Sequence, residues 1–199
     1  MEGSQMIHVE VDSNGDVALF QYGSNMSSER LQSKVNEHRL KFAPRGTRKQ
    51  IRCLGRGRLF GWRFTLDLYS AGQDCLVADI IAGSAEDQVW GVVYKLDREL
   101  VDRTDGQRSV FDRIEGHRPT SNPENYRPRI VRLELGGARV SAITYVGTED
   151  ARRRCRVEHH GVRVDSQYAA AVLDGAAHAD LPSDYQALLR RELAAVAQS

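Results

Sequence analysis

Cysteine is scarce in this chain, and that scarcity narrows the options first. Three occur in 199 residues, Cys53, Cys75 and Cys155. They are far apart, odd in number and contain no C-x-x-C pair. This argues against a disulfide framework or a zinc site and for reduced thiols in a cytosol. An excess of one charge is also missing. The chain has 28 basic and 27 acidic residues, a formal net charge of +1, so no global field points to nucleic acid or an anionic membrane. No apolar run approaches the roughly 20 residues of a membrane-spanning helix. Residues 1–8, Met-Glu-Gly-Ser-Gln-Met-Ile-His, lack a basic region followed by an apolar one. No secretory leader is expected, and the sequon Asn25-Met26-Ser27 carries no weight without secretion. Repeats and low-complexity tracts are absent. The expected location is cytoplasmic, with no membrane partner and no nucleic-acid partner.

What is present suits one globular domain over residues 1–199: 41% hydrophobic and 28% charged residues, enough for a single core. Residues 1–16 read as an N-terminal extension, with alternation at Ile7-His-Val9-Glu-Val11 and a hairpin signal at Asn14-Gly15. Val17–Phe20 reads as a strand that runs into Gln21-Tyr22-Gly23-Ser24-Asn25-Met26, and a helix starts near Ser27-Ser28-Glu29. Residues 32–58 are basic and the stretch from 40 is the least regular, so the segment reads as a variable loop. Trp62–Tyr69 alternates as a half-buried strand does. Cys75–Ile81 and Val89–Leu96 are further strands, and Gly91 suggests a bulge or bend in the second. Short helical turns are expected between Asp97 and Glu115, stopped by Gly116. Val131–Leu135, Gly136-Gly137 and Ala138–Val146 form a hairpin by spacing. The last third turns helical, with Asp165 or Ser166 as one cap and Ser183-Asp-Tyr-Gln186 as a capping box. Strands followed by helices argue an α+β fold around a closed or strongly curved sheet.

Two places could carry chemistry. In Tyr22-Gly23-Ser24-Asn25 a strand ends in a glycine turn and a helix begins. Glycine allows unusual φ and close approach, and amides at a helix start favour a carboxylate or developing oxyanion. The commonplace alternative is an ordinary capped turn. In Asp112-Arg-Ile-Glu115-Gly116 an acid falls at the end of a helix, where the dipole disfavours a carboxylate and raises its pKa. The commonplace alternative there is a solvated surface glutamate.

Taken together, Phe20–Met26, Val89–Leu96, Asp112–Gly116, Tyr126–Val131, Ala142–Val146, Tyr168 and Leu181–Tyr185 resemble, in order, the segments of the γ-glutamylcyclotransferase family. The likeness spans roughly residues 17–193. Residues 32–58 are longer and more basic than in the family, and residues 1–16 have no counterpart. The resemblance implies a small mixed or antiparallel β-barrel with flanking helices. It implies Glu115 as the catalytic acid/base and Tyr22, Gly23, Ser24, Asn25 and Met26 as substrate contacts, with Tyr145 and Tyr168 as further pocket tyrosines. It implies a small-molecule γ-glutamyl substrate, cyclised to 5-oxoproline with release of an amine, and neither cofactor nor metal. A homodimer stays open. Two alternatives also stay open: removal of a γ-glutamyl protecting group in a biosynthetic pathway, and a non-catalytic binding module that uses the basic segment.

The remaining motifs favour plain readings. His159-His160, read as strand neighbours, would point to opposite faces and chelate poorly. Arg152-Arg-Arg154 and the basic run 45–58 lack interleaved aromatics and read as solvated faces. Gly55–Gly61 fails the dinucleotide spacing, and no nucleophile-elbow motif occurs.

Overall fold

The computed structural model describes residues 16–42, 51–102, 108–117 and 125–198. Strand β1 (Asp16–Gln21) leads through a 3₁₀ turn (Ser24–Met26) into helix α1 (Ser28–Phe42). Strands β2 (Arg52–Phe60), β3 (Trp62–Ser70), β4 (Cys75–Ala82) and β5 (Gln88–Asp97) follow, then the short helix α2 (Val110–Ile114). Strands β6 (Tyr126–Leu135) and β7 (Ala138–Gly147) precede helices α3 (Glu149–Glu158), α4 (Ser166–His178) and α5 (Ser183–Gln198). Five strands close a barrel in the order β1-β5-β2-β6-β7, and β3-β4 form a separate two-stranded sheet. The α+β barrel with flanking helices expected from the sequence is the architecture observed.

Apolar burial builds the barrel, and β5 is buried on both faces in its middle. In β5, Val89, Val92, Val93, Tyr94 and Leu96 are buried, and they pack with Leu19 and Phe20 of β1 and Val131 and Leu133 of β6. Burying each such side chain contributes on the order of 1.5–3 kcal/mol. Strand β1 runs antiparallel to β5. It closes the barrel against β7 by a parallel pair, Leu19 facing Ile143. The β3-β4 sheet is tied on by Asp79, which accepts from the amide of Gly147 in β7 at 2.7 Å and pairs with Arg152 of α3.

Several expectations are corrected. The segment 32–58 is not a loop at either end: residues 32–42 complete α1, and 52–58 lie in β2. Helix α1 forms because Leu31 and Val35, four apart, are both fully buried. Strand β2 forms because Gly57 and Leu59 face inward while Arg56 and Phe60 face out. Residues 43–50 lie outside the described residues, as do residues 1–15 with the expected strand and Asn-Gly turn. The register shift is at Cys53/Gly55 in β2, where Gly55 has φ +126°, and not at Gly91. Gly91 is required for space: a Cβ would stand 2.9 Å from the Phe20 ring and nearer still to the Gln21 carbonyl oxygen. The capping box of α5 gives way to other bonds, Gln186 Nε2 donating to the Leu181 carbonyl at 2.7 Å and Asp184 Oδ1 accepting from the Tyr185 amide at 2.9 Å. Helix α3 is an element the sequence reading lacks, and His159 ends it as its cap rather than lying on a strand. The His159 ring stacks on Tyr69 at 3.7 Å. Among the described residues, no helix is long and apolar enough to cross a membrane.

Candidate active site

The chain from β1 into α1 and the short helix α2 meet at a cavity of about 640 Å³. Strand β1 delivers Gln21 and Tyr22. Gly23 then turns the chain with φ −112° and ψ −147°, outside the left-handed region. Its lack of a Cβ matters instead for closeness: a Cβ would sit 3.3 Å from Ala78 Cβ and 3.4 Å from the Tyr168 hydroxyl. Ser24 and Asn25 follow, buried and lining the cavity.

Helix α2 arrives from the other side. Its capping box is well formed: Ser109 Oγ accepts from the Asp112 amide and Asp112 Oδ2 from the Ser109 amide, each at 3.0 Å. The Tyr145 hydroxyl donates to Asp112 Oδ1 at 3.1 Å, which locks α2 onto β7. Glu115 caps the helix, and Gly116 at φ +71° ends it. The Glu115 carboxylate thereby reaches the β1 exit. Its Oε1 accepts from Asn25 Nδ2 at 2.9 Å and from Gln21 Nε2 at 3.1 Å. On the far side of the Asn25 amide, Lys34 Nζ donates to Oδ1 at 2.7 Å.

Burial pushes the Glu115 pKa above the ordinary carboxylate range. Lys34 and the hydrogen bonds from Asn25 and Gln21 pull it part of the way back. Desolvation therefore does what the sequence assigns to the helix dipole, since α2 has only five residues. Burial lowers the Lys34 pKa, with Glu115 opposing. The phenols of Tyr22, Tyr126, Tyr145 and Tyr168 are all raised by burial. They stay protonated at neutral pH and act as fixed dipoles.

Of the residues singled out by sequence, Glu115, Tyr22, Gly23, Ser24, Asn25, Tyr145 and Tyr168 all line this one cavity. Tyr22 donates to the Tyr145 carbonyl at 2.6 Å, and the Tyr168 hydroxyl accepts from the Ala78 amide at 2.7 Å. Met26 departs from the grouping. It is 2% exposed, does not line the cavity, and packs toward Gly175 of α4. Among the cavity residues not singled out as site residues are Gln21, Lys34 and Tyr126, the last donating to the Ala78 carbonyl at 2.8 Å.

Beside the five-stranded barrel, then, a buried carboxyl of raised proton affinity lines a cavity and is held by the side-chain amides of Asn25 and Gln21. The chain belongs to the γ-glutamyl cyclotransferase, AIG2-like family, whose model matches residues 19–162. The fold is similar to that of solved proteins at low identity. A γ-glutamyl cyclotransferase aligns with TM-score 0.65 and 19% identity over 88% of this chain and 86% of that one. An uncharacterized protein from Homo sapiens aligns with TM-score 0.62 and 20% identity over 88% and 86%. YkqA from Bacillus subtilis aligns with TM-score 0.62 and 19% identity over 93% of this chain and 56% of that one. No curated protein matches the chain in sequence.

Proposed function

We propose that the protein converts the γ-glutamyl group of a small amine or peptide conjugate to 5-oxoproline and releases the amine. The observation that carries this reading is Glu115, whose carboxylate sits in the cavity on the amides of Asn25 and Gln21 with its pKa raised by burial. The substrate holds both reacting groups. Glu115 takes a proton from the α-ammonium, and the freed amine attacks the γ-carbonyl carbon, forming the new N–C bond of a five-membered ring. Glu115 then returns a proton to the departing nitrogen as its C–N bond breaks. The ring nitrogen gives up its second proton to the released amine, which departs as an ammonium, so electrons and protons balance without an enzyme nucleophile.

The other groups hold the substrate folded for this attack, which is worth several kcal/mol when the reacting atoms are aligned. The turn Gly23–Asn25 supplies main-chain amides for the developing oxyanion, Tyr22 shapes the wall, and Lys34 tunes Glu115. A reducing, cytoplasmic setting fits three unpaired thiols, of which Cys53 is exposed. The test is release of 5-oxoproline from γ-glutamyl-alanine by the purified protein. Glu115→Gln should lower the rate by about 10²–10⁴-fold, the usual share of one acid/base. Turnover that survives this substitution removes the mechanism.

A further inference from the structure

The tyrosines that line the cavity fall into two groups. Tyr22, Tyr126, Tyr145 and Tyr168 gather round the acid: each feels the Glu115 charge, and the Tyr126 and Tyr168 hydroxyls clamp the Ala78 carbonyl and amide of β4. Tyr69 also lines the cavity, but it lies on β3, and the groups that act on its hydroxyl are Asp74 and Cys75 of its own hairpin. In the β3-β4 register it faces Leu76, two residues before Ala78. At about 3.3 Å per residue, that sets it about 7 Å along the strand from the clamped residue. The hairpin turn, Ser70-Ala71-Gly72-Gln73, continues this wall of the cavity. Ala71, Gly72 and Gln73 are exposed, so the hairpin marks the mouth and the four clustered tyrosines mark the depth.

The Tyr69 ring is fixed from two directions. Its hydroxyl donates to Asp74 Oδ1 at 2.6 Å. Its face stacks on the His159 imidazole, with centroids 3.7 Å apart and planes 16° from parallel. His159 is itself held as the C-cap of α3, its amide donating to the Cys155 carbonyl at 3.0 Å. A ring already held in place gives up little freedom when a ligand arrives. The residues that follow it, Ser70, Ala71 and Gly72, are small, so the turn adds no bulk beside it. In the ring-closing reading the scissile nitrogen lies at Glu115. A ring on the departing portion, as in phenylalanine, is centred about 5 Å beyond that nitrogen at about 1.5 Å per bond, on the way to the mouth. Tyr69 offers a second ring there, and flat π-systems attract one another beyond the area they bury.

We infer that Tyr69, braced by His159, stacks against an aromatic departing group and so sets a preference for γ-glutamyl conjugates that carry a ring. This inference rests on the ring-closing activity proposed above. The experiment compares kcat/KM for γ-glutamyl-phenylalanine and γ-glutamyl-cyclohexylalanine, which share a carbon skeleton while the second has no flat π-face. The aromatic conjugate should be preferred by about threefold to tenfold, the scale of one stacked pair, mainly through KM. Tyr69→Leu should bring the ratio toward one, and Tyr69→Phe, which keeps the ring, should keep most of it. His159→Ala should lower the ratio through KM rather than kcat, and His159→Phe should restore it. Both substrates are measured on one preparation, so the ratio is independent of how much of a variant folds. A ratio of one in the unsubstituted protein, or a ratio that Tyr69→Leu leaves unchanged, overturns the inference and leaves the ring-closing activity standing. A ratio that His159→Ala leaves unchanged overturns the bracing role of His159. Absence of 5-oxoproline from both conjugates and from γ-glutamyl-alanine overturns the preference and the activity together.

Discussion

Asn25 Nδ2 donates to Glu115 Oε1 at 2.9 Å, joining residues 90 apart in the chain. Lys34 holds the other end of the same amide, so its orientation is set from both sides: oxygen to the ammonium, nitrogen to the carboxylate. Asn25→Asp replaces the donor by a second negative oxygen beside Glu115. Like charge raises the proton affinity of Glu115 further. At neutral pH, kcat/KM should fall at least tenfold, and its rise with pH should begin at higher pH than in the parent. Asn25→Ala should lose a similar factor, since a bond to a charged group is worth about 1.5–3 kcal/mol. A pH–rate profile for each variant checks this, and profiles that overlay the parent's would count against the geometry.

The pH dependence follows from the Glu115 shift. As the base that takes the ammonium proton, Glu115 must be ionised, so kcat/KM should rise as pH passes through its raised pKa. Lys34 is the cation that holds that pKa down. Lys34→Met should therefore move the acidic limb to higher pH. Stability has the opposite sign. A carboxyl whose folded pKa lies above the unfolded value of about 4.3 binds its proton more tightly in the folded state. Its favourable contribution is present at low pH and is lost as pH climbs from the unfolded toward the folded value. Denaturation of the parent and of Glu115→Gln across that window should show the parent losing ground as pH rises.

Gly91→Ala tests the contact between β1 and β5. The new methyl would collide with the Gln21 carbonyl and stand 2.9 Å from the Phe20 ring. Backbone cannot swing aside as a side-chain tip can, so the cost should be about 3 kcal/mol, the upper end for overpacking. Activity should fall too, because Gln21 carries a donor to Glu115. Denaturant midpoints and 5-oxoproline release measure the two effects. An unshifted midpoint would contradict the packing described.

Asp79 and Arg152 form the ion pair that seats the β3-β4 sheet. Asp79 is fully buried. Burial raises its pKa, against the Gly147 amide and Arg152, which lower it. Burial also works against the Arg152 proton, but Asp79 and its neighbours outweigh it and leave that pKa raised. The geometry argues for an ionised pair at neutral pH. Arg152→Met strands a buried carboxylate and should cost about 3–5 kcal/mol. The deficit should shrink at lower pH, where Asp79 takes up a proton, and adding Asp79→Asn should recover part of it. Denaturation at pH 5 and pH 8 decides the matter. A deficit equal at both values would mean packing, not charge, is lost.

The strands were legible because period-2 alternation survives as plain sequence in β6 and β7 of the barrel and in β3 of the two-stranded sheet beside it, and Asp165 and Gly116 punctuate helices by their own chemistry. Helix α3 was not legible. Only Ala151 and Cys155 of it are buried, too small a stripe to mark a period, although Thr148-Glu-Asp is a helix start in retrospect. The basic run 32–58 misled because Arg52 and Arg56 are exposed on a strand whose β5 partners, Lys95 and Val92, come far later in the chain. Glu115 and the Tyr22–Asn25 turn stood out through resemblance to a family. Gln21 and Lys34 did not, because their role depends on how α1 packs beside α2, which neither segment encodes alone.

The barrel closes where Leu19 faces Ile143 and where Thr144 Oγ1 donates to the Phe20 carbonyl at 3.0 Å, across 124 residues. A chain emerging from the ribosome therefore carries Gln21 and Asn25 long before the strand that completes their surroundings exists. Contacts so distant in sequence make closure slow. Until residue 147 has been added, the nascent polypeptide has an open-edged sheet and no enclosed chamber, so premature termination anywhere upstream yields a fragment with a sticky margin rather than a weak enzyme.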